Sequence, residues 1–295
     1  MNRRSFSKLL LGAPLLRGQD PVALKVGGAE IDVTISGEFD ISPDGLMDWV
    51  NMAARSVSAY YGKFPVAHAA IHIAQGRRGR GVTNGRTFGE GGAHTRISVG
   101  QHATSAELKE DWMLTHEMVH FGFPNVPEEH HWIEEGSATY IEPIARAKIG
   151  WLHPEQVWGD LVRDMWQGLP ESADQGLDRT HSWGRTYWGG ALFCLMADIE
   201  IRKRTHNAKG LEHAIRGINR AGGTIDQDWP VQRAFEIGDK ATGTKALMDV
   251  YAQMGEKPMA VNLADLWNQL GVRRDANGVT FDKNAPLAAV RAAIC

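Results

Sequence analysis

The segment HEMVH at residues 116–120 constrains this chain more than any other. Two histidines four positions apart leave the same face of an α-helix, one turn apart, so their imidazoles can share one ion. Glu117 stands between them, and its carboxylate projects beside such an ion rather than onto it, which suits a base acting on a water that the ion polarises. A pair of imidazoles does not complete a metal site, so a second element must come against this helix and bring a third ligand.

The surrounding pattern supports a helix here. Residues 22–37, VALKVGGAEIDVTISG, alternate around a Gly-Gly turn and predict a hairpin or a pair of short strands. Residues 42–62 open on Ser-Pro-Asp, repeat apolar residues at helical spacing and stop at a glycine. PVAHAAIHIA at 65–74 predicts a strand, and 81–100 predict one or two edge strands interrupted by glycines. From Thr104 the pattern turns helical: Thr104 with Glu107 fits a capping box, which predicts one helix from about Ser105 to Gly122. Further helices are expected over 130–149, 154–167, 184–205, 208–221 and 243–254, with a turn at Asn277 and Gly278 and a last short helix over 286–294. The expected class is α+β, a small N-terminal mixed sheet over 20–104 followed by a mainly helical subdomain over 105–295.

Composition narrows the partners. With 43% apolar and 23% charged residues in 295, the chain can bury a sizeable core. A net charge of −3 gives no general electrostatic reason to bind nucleic acid, and the arginine cluster GRRGRG at 76–81 lacks interleaved aromatics and predicts a solvated loop. No apolar run is long enough to span a bilayer. Cys194 and Cys295 lie too far apart in sequence, and in too few numbers, to form a disulfide framework; oligomeric state is not legible.

Two imidazoles and one carboxylate favour Zn²⁺. The extended metzincin pattern is excluded, because Phe123 and Val126 occupy its glycine and histidine positions. That leaves Glu128, Glu129, His130, His131, Glu134, Glu135 and Glu142 as third ligands, and spacing alone does not choose among them. WIEEGSATYIE at 132–142 resembles the W-x-x-E-G-x-A-x-Y-x-E stretch of the gluzincins, the aminopeptidase N and glycyl aminopeptidase relatives. The resemblance implies a thermolysin-like metallopeptidase catalytic domain in which His116, His120 and Glu135 hold Zn²⁺ and Glu117 is the general base. Two turns beyond Glu135 on the same face, Glu142 is placed either to orient a ligand or to end the helix at the surface, and His130 and His131 remain rival third ligands beside their reading as a surface entry to the helix.

The likeness runs from about 60 to 220. RTYWGGALFCLMADIEIRKRT at 185–205 is similar to a family helix whose leading tyrosine stabilises the tetrahedral intermediate, a role that carries over to Tyr187, although Gly189 stands where the family has lysine. YYGKFPV at 60–66 is similar to an element of the glycyl aminopeptidases, and FGEGGAHTRISVG at 88–100 occupies the place of the glycine-rich strand that borders their substrate. Glu90 is displaced from the position that holds a substrate amino group there, so a backbone edge for an extended peptide is implied and aminopeptidase specificity is not.

The opening residues, MNRRSFSKLLLGAPLLRGQD, carry two arginines ahead of a phenylalanine and a lysine, then a short apolar stretch. They resemble a twin-arginine export signal over 1–19 and imply a periplasmic or secreted protein. Together these readings predict a zinc metallopeptidase acting on peptide or protein substrates. Two rivals stand beside it: a hydrolase of non-peptide bonds, and a zinc-stabilised cell-envelope binding protein without turnover.

Overall fold

The structure is a computed structural model that describes residues 20–77, 79–276 and 278–295. The export-signal segment, Arg78 of the arginine cluster and Asn277 of the expected turn lie outside the described residues.

A five-stranded sheet comes first. Its strands are β1 (Val22–Val26), β2 (Ala29–Ser36), β3 (His68–Gln75), β4 (Val82–Phe88) and β5 (His94–Val99), in the spatial order β1-β2-β3-β5-β4. β2, β3 and β5 run parallel, while β1 and β4 pair antiparallel on either side of them. Alternate residues of the inner strands, Ile31 and Val33, Ile71 and Ile73, Ile97 and Val99, are buried, as a sheet with one covered face requires. Their core is shared with α1 (Pro43–Tyr61), which starts where the Ser42 hydroxyl accepts from the Gly45 N–H and stops at Gly62 in the left-handed conformation.

The glycine-rich stretch at 88–100 divides differently from the expectation. Gly89–Ala93 form the turn, and His94–Val99 become the inner strand β5. The edge strand on this side of the sheet is β4, at 82–88, and β1 forms the opposite edge.

The single helix expected from Ser105 to Gly122 is two helices, α2 (Ser105–Glu110) and α3 (Met113–His120). The predicted capping box of Thr104 and Glu107 is present at the start of α2. The break comes at Asp111, which is extended (ψ 134) and whose carboxylate accepts from the N–H groups of Met113 and Leu114, both at 3.1 Å. Asp111 thereby caps a new helix and re-aims the histidine-bearing turns.

The rest is helical: α4 (His131–Lys148), α5 (Pro154–Asp164), α6 (Gly190–Arg204), α7 (Leu211–Arg220), α8 (Val231–Thr242), α9 (Ala246–Met254), α10 (Leu263–Leu270) and α11 (Ala288–Ile294), with a small hairpin of β6 (Val272–Asp275) and β7 (Gly278–Phe281). α8 and α10 were not among the expected helices. α6 is preceded by one π-helical turn, Arg185–Gly189, so the helix expected over 184–205 begins wound more loosely. Among the described residues no helix is long and apolar enough to cross a membrane, and both cysteines are free.

α4 is the central helix and packs on α1, α3 and α6. Its contact with α6 is backbone to backbone. A Cβ added at Gly136 would overlap the backbone of Gly190, and one added at Gly190 would overlap the Trp132 carbonyl and lie 2.8 Å from the Gly136 Cα. The close approach at Gly136 is therefore to α6.

Candidate metal and catalytic site

His116 and His120 stand one turn apart on α3, and Glu135 stands one turn into α4. The His116 Nε2 is 3.1 Å and the His120 Nε2 3.8 Å from Glu135 Oε2, and the three donor atoms all lie within 4.8 Å of one another. Donors bonded to one tetrahedral ion at about 2.0–2.1 Å sit roughly 3.3 Å apart, so these separations bracket what Zn²⁺ needs. Burial pushes His120 down to about 4, helped by its neighbours His116 and His131 and opposed by Glu135, and so keeps its imidazole neutral. Burial acts to raise Glu135, but the His116 hydrogen bond and the nearby His120 and His131 outweigh it and hold the carboxyl at about 2. Neutral imidazole beside ionised carboxylate is the protonation state in which such a set binds a cation. The donor set and its spacing fit the ion.

Glu117 lines the same cleft and reaches β4. The Thr87 hydroxyl donates to Glu117 Oε2 at 2.7 Å and lies 2.8 Å from the Thr95 hydroxyl. Gly85 is the reason the strand can come so close: a Cβ there would stand 2.8 Å from Glu117 Cγ and 2.9 Å from Oε1. Burial raises the Glu117 carboxyl, opposed by the Thr87 hydrogen bond and by the neighbouring His116 and Arg86. A raised carboxyl suits a group that must take up a proton and release it.

Tyr187, in the π-helical turn, lies with its ring 6.3 Å from that of His116 and close enough to Glu135 to feel its charge. Burial first, then the Glu135 carboxylate, pushes its hydroxyl up to about 12, so it stays a donor. At Gly189 a Cβ would meet Leu177 Cδ2 at 2.8 Å and the Arg185 guanidinium at 3.2 Å, so a longer residue there requires those two side chains to move. This is the physical counterpart of the missing lysine.

The other candidates separate cleanly. His130 is buried against Asp178, with Nδ1 to Oδ1 at 2.9 Å, and does not reach the metal group. His131 stands at the entry of α4 with its side chain 43% exposed and also lines the cleft, its Nδ1 2.8 Å from Glu134 Oε2 and its Nε2 3.4 Å from Glu135 Oε1. Glu134 accepts from the Val126 N–H, and Glu128 and Glu129 are exposed. Glu142 is buried on the Arg146 guanidinium at 3.0 Å, and His116 Nδ1 has no hydrogen-bond partner. His94 stacks on Phe88 and does not line the cleft. Sequence reasoning missed the residues of β4. Thr83–Thr87 form one wall of a cleft of about 490 Å³ whose other walls are α3, the start of α4 and Tyr187.

The fold has counterparts among solved structures. An aminopeptidase N family protein from Idiomarina loihiensis superposes with a TM-score of 0.62 at 14% identity, covering 90% of this chain and 52% of that one. The likeness is one of fold. A variant of the M1 zinc metallopeptidase from Deinococcus radiodurans superposes with a TM-score of 0.50 at 11% identity, and the same enzyme's variant bound to a Tyr-Ser-Ala substrate with 0.51 at 12%, each covering 83% of this chain and 53% of that one. The chain thus spans about half the length of the structures it matches. No protein-family model and no curated protein matches it.

Proposed function

We propose that the protein is a zinc-dependent hydrolase of peptide bonds, a compact gluzincin with a thermolysin-like catalytic domain formed by 20–104 and 105–295 together. The observation that carries the reading is the convergence of His116, His120 and Glu135 beside a buried Glu117 aimed from the next face of the same helix. His116, His120 and Glu135 hold Zn²⁺, which when bound supplies Lewis acidity toward water and a substrate carbonyl. Glu117 takes a proton from the attacking water and delivers it to the leaving amine, while Thr87 fixes its carboxylate. The Tyr187 hydroxyl donates to the oxyanion as charge develops. β4, the sheet edge that walls the cleft, offers backbone groups to an extended peptide.

The test pairs elemental analysis of the purified protein with a peptide-library digest of the wild type and of Glu117→Gln. The expected result is one zinc per chain in both and turnover in the wild type alone; full turnover in the variant refutes the role given to Glu117. If esters or epoxides are cleaved and peptides are not, the chemistry is that of a non-peptide hydrolase. If chelation lowers the melting temperature and nothing is ever cleaved, the protein is a zinc-stabilised scaffold. Residues 1–19 extend the proposal to export, and replacing Arg3 and Arg4 with lysine should then retain the protein in the cytoplasm on cell fractionation.

A further inference from the structure

Beside the metal cleft lies a second cavity of about 360 Å³, and the two share Trp112, His116 and Tyr187. Its walls are aromatic. Trp112 stands edge-on to His116 with ring centres 5.4 Å apart, and Trp183 stacks on Tyr187 at 5.5 Å. Trp188 completes the group. Trp112 and Trp183 are 50% and 60% exposed, among the few large apolar side chains the protein leaves in water. Indoles that remain in solvent around a cavity next to the candidate reacting atoms mark a surface meant to be covered.

Charge narrows what covers it. The lining carries four carboxylates, Glu110, Glu142, Asp160 and Asp164, against two guanidiniums, Arg146 and Arg163. The pairing is mutual: Arg146 is buried on Glu142, and Arg163 is held by Asp160 at 2.5 Å and Asp164 at 2.6 Å, which leaves Glu110 as the one lining carboxylate outside these ion pairs. Glu110 is exposed and ends α2, so its carboxylate and the negative end of that helix both face the rim. A wall of indole faces beside the unpaired Glu110, in a lining with two more acidic than basic side chains, attracts a positive group carried on a hydrocarbon stem, through cation–π contact and long-range attraction. It disfavours an anionic group for the same reasons.

We infer that this cavity is a substrate side-chain subsite that selects arginine or lysine next to the scissile bond. The inference rests on the proposed peptidase reading for the word substrate, and its test separates the two.

The zinc-loaded protein is titrated with N-acetyl-arginine amide, N-acetyl-norleucine amide and N-acetyl-glutamate amide, following indole fluorescence, and a peptide library is digested in parallel. Arginine amide should bind at least about tenfold tighter than norleucine amide, with glutamate amide weakest, and cleavage should concentrate beside basic residues. Glu110→Lys, at an exposed position that does not endanger folding, should weaken arginine amide by about fivefold and leave norleucine amide unchanged. Trp183→Ala should weaken both, arginine amide more. Norleucine amide binding as tightly as arginine amide, or cleavage indifferent to basic residues, overturns the inference while leaving the peptidase reading intact. Selective binding of arginine amide with no peptide cleaved upholds the subsite and removes the peptidase.

Discussion

Replacing Gly190 with alanine tests whether the α4–α6 crossing holds the candidate site together. The new methyl group would overlap the Trp132 carbonyl and stand 2.8 Å from the Gly136 Cα, both of them backbone. No side chain can rotate away, so α4 itself must shift. Alanine gains about 1 kcal/mol of helix propensity over glycine. Overpacking of a dense interior typically costs about 1–3 kcal/mol and occasionally more; taking about 2–4 kcal/mol where backbone must move, less the propensity gain, the net loss should be roughly 1–3 kcal/mol. At about 2–4 °C per kcal/mol for a chain of this size, the melting temperature should fall by about 2–12 °C. The residue next to Gly136 is Glu135, so the same shift should weaken zinc binding measured by competition with a chelator. Gly159→Ala is the control. It lies within α5, where the nearest atom to an added Cβ is Val279 Cγ2 at 3.5 Å, and it should keep or raise the melting temperature and leave zinc affinity alone. A Gly190→Ala protein that melts at or above the wild-type temperature would refute the argument.

Three further outcomes are expected. Asp111→Ala leaves the N–H groups of Met113 and Leu114 without an acceptor and should cost about 1–2 kcal/mol in thermal melts, more than Ser42→Ala at the exposed cap of α1. Burial raises the Glu142 carboxyl to about 7, against the pull of Arg146 and His116; because the folded state then binds the proton more tightly than the unfolded chain, stability should fall as pH rises from about 4.5 to 7, and Glu142→Gln should flatten that slope in pH-dependent melts of the metal-free protein. Tyr187→Phe removes a donor from the cleft and should lower kcat by about 10²-fold on any cleaved peptide, with zinc content unchanged; a lowered zinc content with normal kcat would mean that the hydroxyl serves Glu135 instead.

Much of the architecture was legible because it depends on local pattern. The alternation of β2 and β3 and the Gly-bounded α1 can be read from neighbouring residues alone. The Asp111 break was missed although its signal is present, an aspartate just before the apolar run Trp112–Leu114; the continuous helical spacing on both sides concealed it. α8 contains Gly238 and ends on Thr242, both weak helix formers, and it is packing of Gly238 against Ala214 and Leu247 that holds it. In the site, HEMVH declares its geometry through helical periodicity, whereas Glu135 could be singled out from its neighbours only by resemblance. Thr87 and Gly85 carry no motif at all. Their relation to Glu117 arises from the tertiary approach of a strand to a helix thirty residues later, which no local spacing encodes.

A strand at the rim of a sheet is also where two copies of a chain join most readily. On β4 the residues left in solvent are Asn84 and Arg86, and the pairing register shifts between Val82 and Asn84, bending the ribbon. Edge-to-edge docking of two such strands would set like charges against each other and mismatch their twist. The backbone groups offered to an extended ligand thus oblige the protein to carry a guanidinium beside them. A chain that exchanged Arg86 for an apolar residue would invite self-association whenever nothing else occupied the edge.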